Sequence, residues 1–196
     1  MSHHIYHTEG FVLRGESIGE ANKYFRIFTK DFGMIGGVAQ GVRLLKSKLR
    51  YSLQDYSYSK ISLVRGKNTW RIVGAIKEKN LRDSLDDPDK FYVLAKAFSL
   101  LNRLVRGEEK NESLFHHIFS ACEFLEKEDV NDFYLKNFER VLAMRILRSL
   151  GYLGESKKFD EFINSSVWGR DLIFKMDTIS REAVSQINKA IKETQL

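Results

Sequence analysis

The chain has one cysteine, Cys122, and one proline, Pro88, in 196 residues. A single thiol excludes an internal disulfide and a cysteine-rich zinc site, and in its apolar helical surroundings Cys122 reads as a small buried hydrophobe. No run approaches the roughly 20 apolar residues that span a bilayer. The polar opening MSHHIYHTEG has no apolar stretch of the kind a secretory leader needs, so the chain is expected to be soluble and cytoplasmic. Catalytic patterns are missing too. The glycines of GMIGGVAQG fit neither G-x-G-x-x-G nor G-x-x-x-x-G-K-[ST], and are expected to bend a strand. His116 and His117 are adjacent on a helix and point in different directions, while His3, His4 and His7 read as an N-terminal tail. The acidic runs 84–89 and 126–132 fall at helix starts and linkers, where capping and solvation explain them. Neither an enzyme nor a metal or other cofactor is expected.

What is present points to a folded, basic protein. Hydrophobic residues make up 43% of the chain, with 14 Phe and 8 Tyr, which is ample for a core. The net charge of +6 is unevenly placed: residues 1–80 hold 14 Lys and Arg against 6 Asp and Glu, and residues 81–196 hold 18 against 20. An N-terminal excess of this kind suggests a polyanionic partner, with nucleic acid ahead of a membrane surface.

The hydrophobic period changes near residue 80. Before it, short strands are expected at 10–14, 23–29, 34–42, 53–64 and 69–79, with RGKN (65–68) as a hairpin turn and the polar segment RLLKSKLR (43–50) between the third and fourth. Five strands with an insertion between the third and fourth form the pattern of an OB-fold, although the strand count alone would also suit an SH3-like barrel. After it, the spacing is helical. Asp86 or Asp87 can cap a helix that has Pro88 in its first turn. Further helices are expected over about 111–127, 131–150 and 179–194, with a short amphipathic piece at 157–166. The expected fold is α+β: a five-stranded OB-fold barrel over 1–80, followed by an all-helical domain over 81–196.

The segment GVRLLKSKLRYSLQDY (41–56) carries the clearest chemistry. Arg43, Lys46, Lys48 and Arg50 place four cations within eight residues with no acid among them, and Tyr51, Tyr56 and Tyr58 follow. Cations neutralise phosphates and release counterions, and aromatic faces stack unpaired bases. The basic cluster is therefore assigned to DNA binding. The tyrosines are candidates for base stacking, weighed against the more ordinary role of barrel core. Lys60, Arg65, Lys67, Arg71 and Lys77 form a second basic set on the final hairpin; it would extend the same surface if the two share a face.

The segments TEGFVL (8–13), GEANKYFRIFTKDFG (19–33), GVRLLKSKLRYSLQDY (41–56) and NFERVLAMRILRSLGYLGE (137–155) resemble, in order, stretches of the RecO family. The resemblance implies an OB-fold followed by a helical domain in a bacterial, nucleoid-associated protein. It also implies binding of single- and double-stranded DNA, strand annealing, and recombinase loading with a RecR-like protein and single-stranded-DNA-binding protein. The family's basic barrel positions carry over most directly to Arg43 and Lys46, then to Lys48 and Arg50. Many members carry a four-cysteine zinc module after the Leu-Gly-Tyr helix. Here Gly151-Tyr152-Leu153 leads into SKKFDEFINSS with no cysteine, so zinc is not expected, and the C-terminal part reads as reduced. Two other readings stay open: a protein-interaction adapter with a vestigial barrel, and an RNA-binding OB protein, since barrel and charge do not separate RNA from DNA.

Overall fold

A computed structural model describes residues 4–165 and 167–194. His3 and Ser166, which the sequence reading places in an N-terminal tail and in the 157–166 piece, lie outside the described residues. The chain divides into two compact units. One runs up to Asp86 and also takes in Val105–Asn111; the other comprises Asp87–Leu104 and the chain from Glu112 onward.

The first unit is a closed barrel of β1 (Ile5–Ile18), β2 (Asn22–Thr29), β3 (Gly33–Ala39), β4 (Ser57–Arg65) and β5 (Trp70–Asn80), in the order β1-β2-β3-β5-β4. All pairings are antiparallel except β3 with β5, which run parallel at Gly37↔Trp70 and Val38↔Arg71. This is the OB-type arrangement expected from the sequence. β1 serves two neighbours: Ile5–Phe11 pairs with β4, and Gly10–Ile18 pairs with β2. Inward positions alternate along β2 and β4, so Phe25, Ile27, Ile61 and Leu63 meet Val12, Ile35, Trp70 and Ile72 in the core.

Three local expectations change. β1 begins at Ile5 rather than residue 10, because His7 and Glu9 take outward positions in the pleat opposite Ser62 and Lys60. His4 and His7 are therefore not tail residues: the His4 ring meets Tyr6 edge-on at 4.4 Å, and His7 Nδ1 lies 3.1 Å from Ser62 Oγ. The Gly36–Gly37 pair, a candidate for a bulge or sharp bend, makes no bulge, since β2 and β3 stay in register from Lys23↔Ala39 to Thr29↔Gly33. These glycines make room instead: a Cβ on Gly36 would overlap the Tyr24 hydroxyl, and one on Gly37 would lie 2.9 Å from Ile72. The register shifts fall in β1, between Val12 and Arg14, and in the β4–β5 pair.

Between β3 and β4 the chain crosses in a strap that ends in one helical turn, α1 (Leu49–Ser52). A second turn, α2 (Leu81–Ser84), is capped by Asn80, whose side chain accepts from the Arg82 amide. The second unit contains α3 (Pro88–Leu104), α4 (Glu112–Lys127), α5 (Asp132–Ser149), α6 (Asp160–Ile163), α7 (Arg170–Met176) and, after a 3₁₀ turn, α8 (Ser180–Glu193). α5 is central, with α3, α4, α6, α7 and α8 all against it. Its start is capped by Asn131, which accepts from the Tyr134 amide at 3.1 Å. Cys122 is buried in α4, as expected for a small hydrophobe.

Candidate nucleic-acid interface

The strap is held to the barrel from below. Val42 and Leu53 are buried in the barrel core, and Leu49 packs partly against it. Ser57 and Ser59, on inward positions of β4, donate to the carbonyls of Gln54 and Ser52 at 2.7 Å each and fix the C-terminal end of α1. The Tyr56 amide donates to Val12 O at 2.8 Å, where Tyr56 takes a φ of 64°. At the other end, Gly41 N donates to Asn22 Oδ1 at 2.9 Å and Arg43 N donates to Ala21 O at 3.0 Å. The strap therefore starts beside the turn joining β1 to β2.

Within this frame Arg43, Lys46, Lys48 and Arg50 are all exposed, and among the described residues none of the four has an acidic partner. Arg43 Nη1 donates to Gly19 O in the β1–β2 turn at 2.8 Å, which orients the guanidinium without neutralising it. Arg71 is set beside Val38 by the parallel register, and its Nη2 donates to Gln40 Oε1 at 3.3 Å, at the foot of the strap. The fold thus brings Arg71 next to the first basic cluster. The region joins the β2–β3 face to the β1–β2 turn, and in OB-folds that face and the neighbouring loops take oligonucleotides.

The remaining members of the second set do not all share this surface. Lys60 lies on β4 between Glu9 and Ile76, and its ammonium meets Glu78 at 3.1 Å. Arg65 is ion-paired with Glu108 and stacks over Trp70, 4.6 Å from the ring centroid. Lys77 donates to Gln54 at 3.1 Å. Lys67 is exposed in the β4–β5 turn.

The three tyrosines separate. Tyr51 is 66% exposed on α1 and presents a ring to solvent. Tyr56 is half-buried. Tyr58 is a correction: it is 8% exposed, its ring lies 4.9 Å from Phe11, and its hydroxyl donates to Glu9 at 2.7 Å, so no face is open to a base. Lys60, two residues on, faces out, whereas Tyr58 is covered because it sits directly opposite Phe11 in the β1–β4 pairing and packs on that ring. Tyr24 joins the candidate residues only in the fold, where its hydroxyl reaches across to Gly36 on the outer face of β3. The alternation of Tyr24 and Arg26 on one face of β2, opposite a glycine pair, is the signal that points to it.

The strand edge left open by the short β3–β5 pairing is filled locally. Gly107 O accepts from Met34 N at 3.1 Å, Val105 O from Arg26 Nη2 at 3.2 Å, and Gly36 O from Thr69 Oγ1 at 2.6 Å. The Val105–Asn111 segment thereby covers the end of the β2–β3 face away from the strap. The zinc of the four-cysteine RecO proteins has no ligand set here: the single cysteine is buried, and among the described residues no group of three or more His, Cys, Asp or Glu side chains gathers. None of the described helices is long and apolar enough to cross a membrane.

Residues 1–77 match the family model for the recombination protein O N-terminal domain. The chain is similar to a protein of Dehalococcoides mccartyi (strain CBDB1) named DNA repair protein RecO, 31% identical over 158 residues, 79% of this chain and 60% of that one. It is similar to proteins of the same name from Alkaliphilus metalliredigens (strain QYMF), 29% identical over 74% of this chain and 57% of that one, and from Thermodesulfovibrio yellowstonii (strain ATCC 51303 / DSM 11347 / YP87), 29% over 78% and 60%. The chain thus spans about 60% of the length of these relatives. The barrel topology, the family match over the barrel and the relatives' reach into the helices agree, and the chain belongs to the RecO family.

Proposed function

We propose that this protein binds DNA in recombination and repair, and that the strap between β3 and β4 is its main phosphate-contacting element. The observation that carries the reading is the exposed row Arg43, Lys46, Lys48 and Arg50, without an acidic partner among the described residues, at the mouth of an OB-type barrel. Free cations release counterions on meeting phosphates, whereas cations already paired must first give up a carboxylate. Arg71 extends the row, Tyr51 and Tyr24 offer rings for unpaired bases, and Lys67 adds charge at the β4–β5 turn.

The relatives' name, DNA repair protein RecO, supports the biological setting. In this reading the protein binds single- and double-stranded DNA and promotes annealing. It helps load recombinase together with a RecR-like protein and single-stranded-DNA-binding protein, in the bacterial cytoplasm at the nucleoid. No catalytic step is needed, because annealing requires only that two polyanions be neutralised and brought together.

Fluorescence anisotropy of labelled single-stranded DNA with wild type and an Arg43→Glu/Lys46→Glu variant tests it. The expected result is salt-sensitive binding that weakens at least about tenfold in the variant, since each reversal removes one phosphate contact and adds a repulsion. Binding that ignores the substitutions would exclude the strap. Retained partner binding with no DNA binding would select the adapter, and preference for RNA of equal sequence would select the RNA-binding reading.

A further inference from the structure

The strap carries five aliphatic side chains, and the fold treats them in two ways. Val42, Leu49 and Leu53 turn toward the barrel core. Leu44 and Leu45 do not: they are 58% and 85% exposed, and Arg43 and Lys46 flank them. They are not on a loosely held loop. Leu44 N donates to Gly41 O at 3.1 Å, Ser47 N to Leu44 O at 3.0 Å and Arg50 N to Ser47 O at 3.3 Å, a run of linked turns that keeps the pair projecting. Arg43, bonded to Ala21 O and Gly19 O, fixes the base of the projection.

Two adjacent leucines held in water between cations are a poor choice for solubility alone. They suit a ligand that is anionic at its edge and apolar inside. Nucleic acid has that layout: phosphates lie outside, and the flat base faces become accessible where stacking is interrupted. Apolar side chains that enter between bases, braced by cations on the backbone, are a recurring device of DNA-binding proteins.

We infer that Leu44 and Leu45 form a wedge that enters the base stack where duplex meets single strand. The inference rests on the DNA-binding reading above and adds a substrate to it: a junction, in place of a uniform strand. At a junction the last base pair has a stacked neighbour on one side only, so opening it costs less than opening an internal step, and the exposed Tyr51 further along the strap, on α1, offers a ring to the emerging single strand. Arg43 and Lys46 hold the phosphates on either side of the entry point. A protein that anneals strands would use such a wedge to hold a growing duplex end open to its next bases.

The test uses the full chain, wild type and Leu44→Ser/Leu45→Ser, with a forked DNA bearing 2-aminopurine at the junction and with matching single-stranded and duplex DNA. Both leucines are exposed, so the double variant keeps its core. The expected result is a rise in 2-aminopurine fluorescence when wild type binds the fork. In the variant that rise is lost and fork affinity falls about tenfold, while the slope of affinity against salt is unchanged because the cations remain. A variant that keeps both the fluorescence rise and the affinity overturns the wedge and leaves the DNA-binding reading standing. Failure of wild type to bind any of the three DNAs overturns that reading, and the wedge with it. A parallel sedimentation with phosphatidylglycerol vesicles covers the other anionic, apolar-cored partner: leucine-dependent vesicle binding with leucine-independent fork binding would overturn the wedge in favour of a membrane contact.

Discussion

Arg145 is completely buried in the helical unit and, among the described residues, has no carboxylate against it. Its Nε donates to Phe162 O at 2.8 Å and its Nη2 to Val167 O at 3.3 Å, and the guanidinium lies 4.0 Å from the Trp168 ring centre. One side chain thus ties the chain on both sides of residue 166 to α5. Burial pushes Arg145 down to about 10, which still leaves it charged at neutral pH. Its neighbour His117 bears the consequence. Burial first, then the Arg145 charge and His116, push the His117 imidazole down to about 4, and among the described residues its Nδ1 has no hydrogen-bond partner. His117 is therefore neutral in the fold, while the unfolded chain takes up a proton near pH 6.5. Between those values the unfolded state binds more protons. Stability is therefore complete above about pH 6.5, falls as pH drops toward about 4, and levels off below that. The loss is at most about 3 kcal/mol, less whatever solvent screening of the partly exposed ring removes. Urea unfolding followed by Trp168 fluorescence in a Trp70→Phe background should show this acid loss in wild type and a flatter profile in His117→Leu. Parallel profiles would remove His117 as the cause.

At the scale of elements, the Val105–Asn111 segment matters because it completes the barrel unit. Its seat is Gly33, which has a φ of 60° and on which a Cβ would overlap the Glu109 carbonyl. Gly33→Ala must therefore strain the backbone and displace the segment, losing the bond from Met34 N to Gly107 O. A destabilisation of about 2 kcal/mol or more in denaturant unfolding read by Trp70 is expected. A change below about 0.5 kcal/mol, the range of ordinary surface substitutions, would show that the segment is not seated there. The elements also divide by how well their patterns could be read. α3, α4, α5 and α8 follow from apolar residues at helical spacing, with side-chain caps from Asp87 at the start of α3 and Asn131 at the start of α5, and each lies within two residues of expectation. α7 has only seven residues behind Gly169, too short to establish a period. The 157–166 piece narrows to Asp160–Ile163, because a single helical turn cannot be told from a loop by pattern. β1 looked short because half of it pairs with a strand some 50 residues later, and no local pattern records that.

For the whole molecule, affinity for DNA should depend on how many cations are free, beyond how many the sequence contains. Residues 1–80 hold 14 Lys and Arg, but Lys60 and Arg65 already face Glu78 and Glu108. Replacing Arg43, Lys46, Lys48 and Arg50 together with alanine should flatten the slope of log affinity against log salt by about 3 on single-stranded DNA, at roughly 0.7 per phosphate. Lys60→Ala/Arg65→Ala should change it by less than about 1, because pairing has already spent those charges. Equal effects from the two variants would show that ion pairing in the fold does not select the contacting cations.

The sequence by itself determined the change from strand to helix near residue 80, a five-stranded barrel before it, the concentration of positive charge in the first 80 residues and the family. All of these are properties of local period, composition and ordered motifs. Only the tertiary structure decided which cations are free and which are paired, and that Arg71 joins the strap while Lys60 turns elsewhere. It also decided that Tyr51 is exposed while Tyr58 is core, and that Leu44 and Leu45 project where Val42 and Leu53 do not. The physical reason is the same in each case. Charge pairing, burial and the partners of a barrel strand are set by residues far apart in the chain, and a strap crossing a barrel has no period that assigns its side chains to one face or the other.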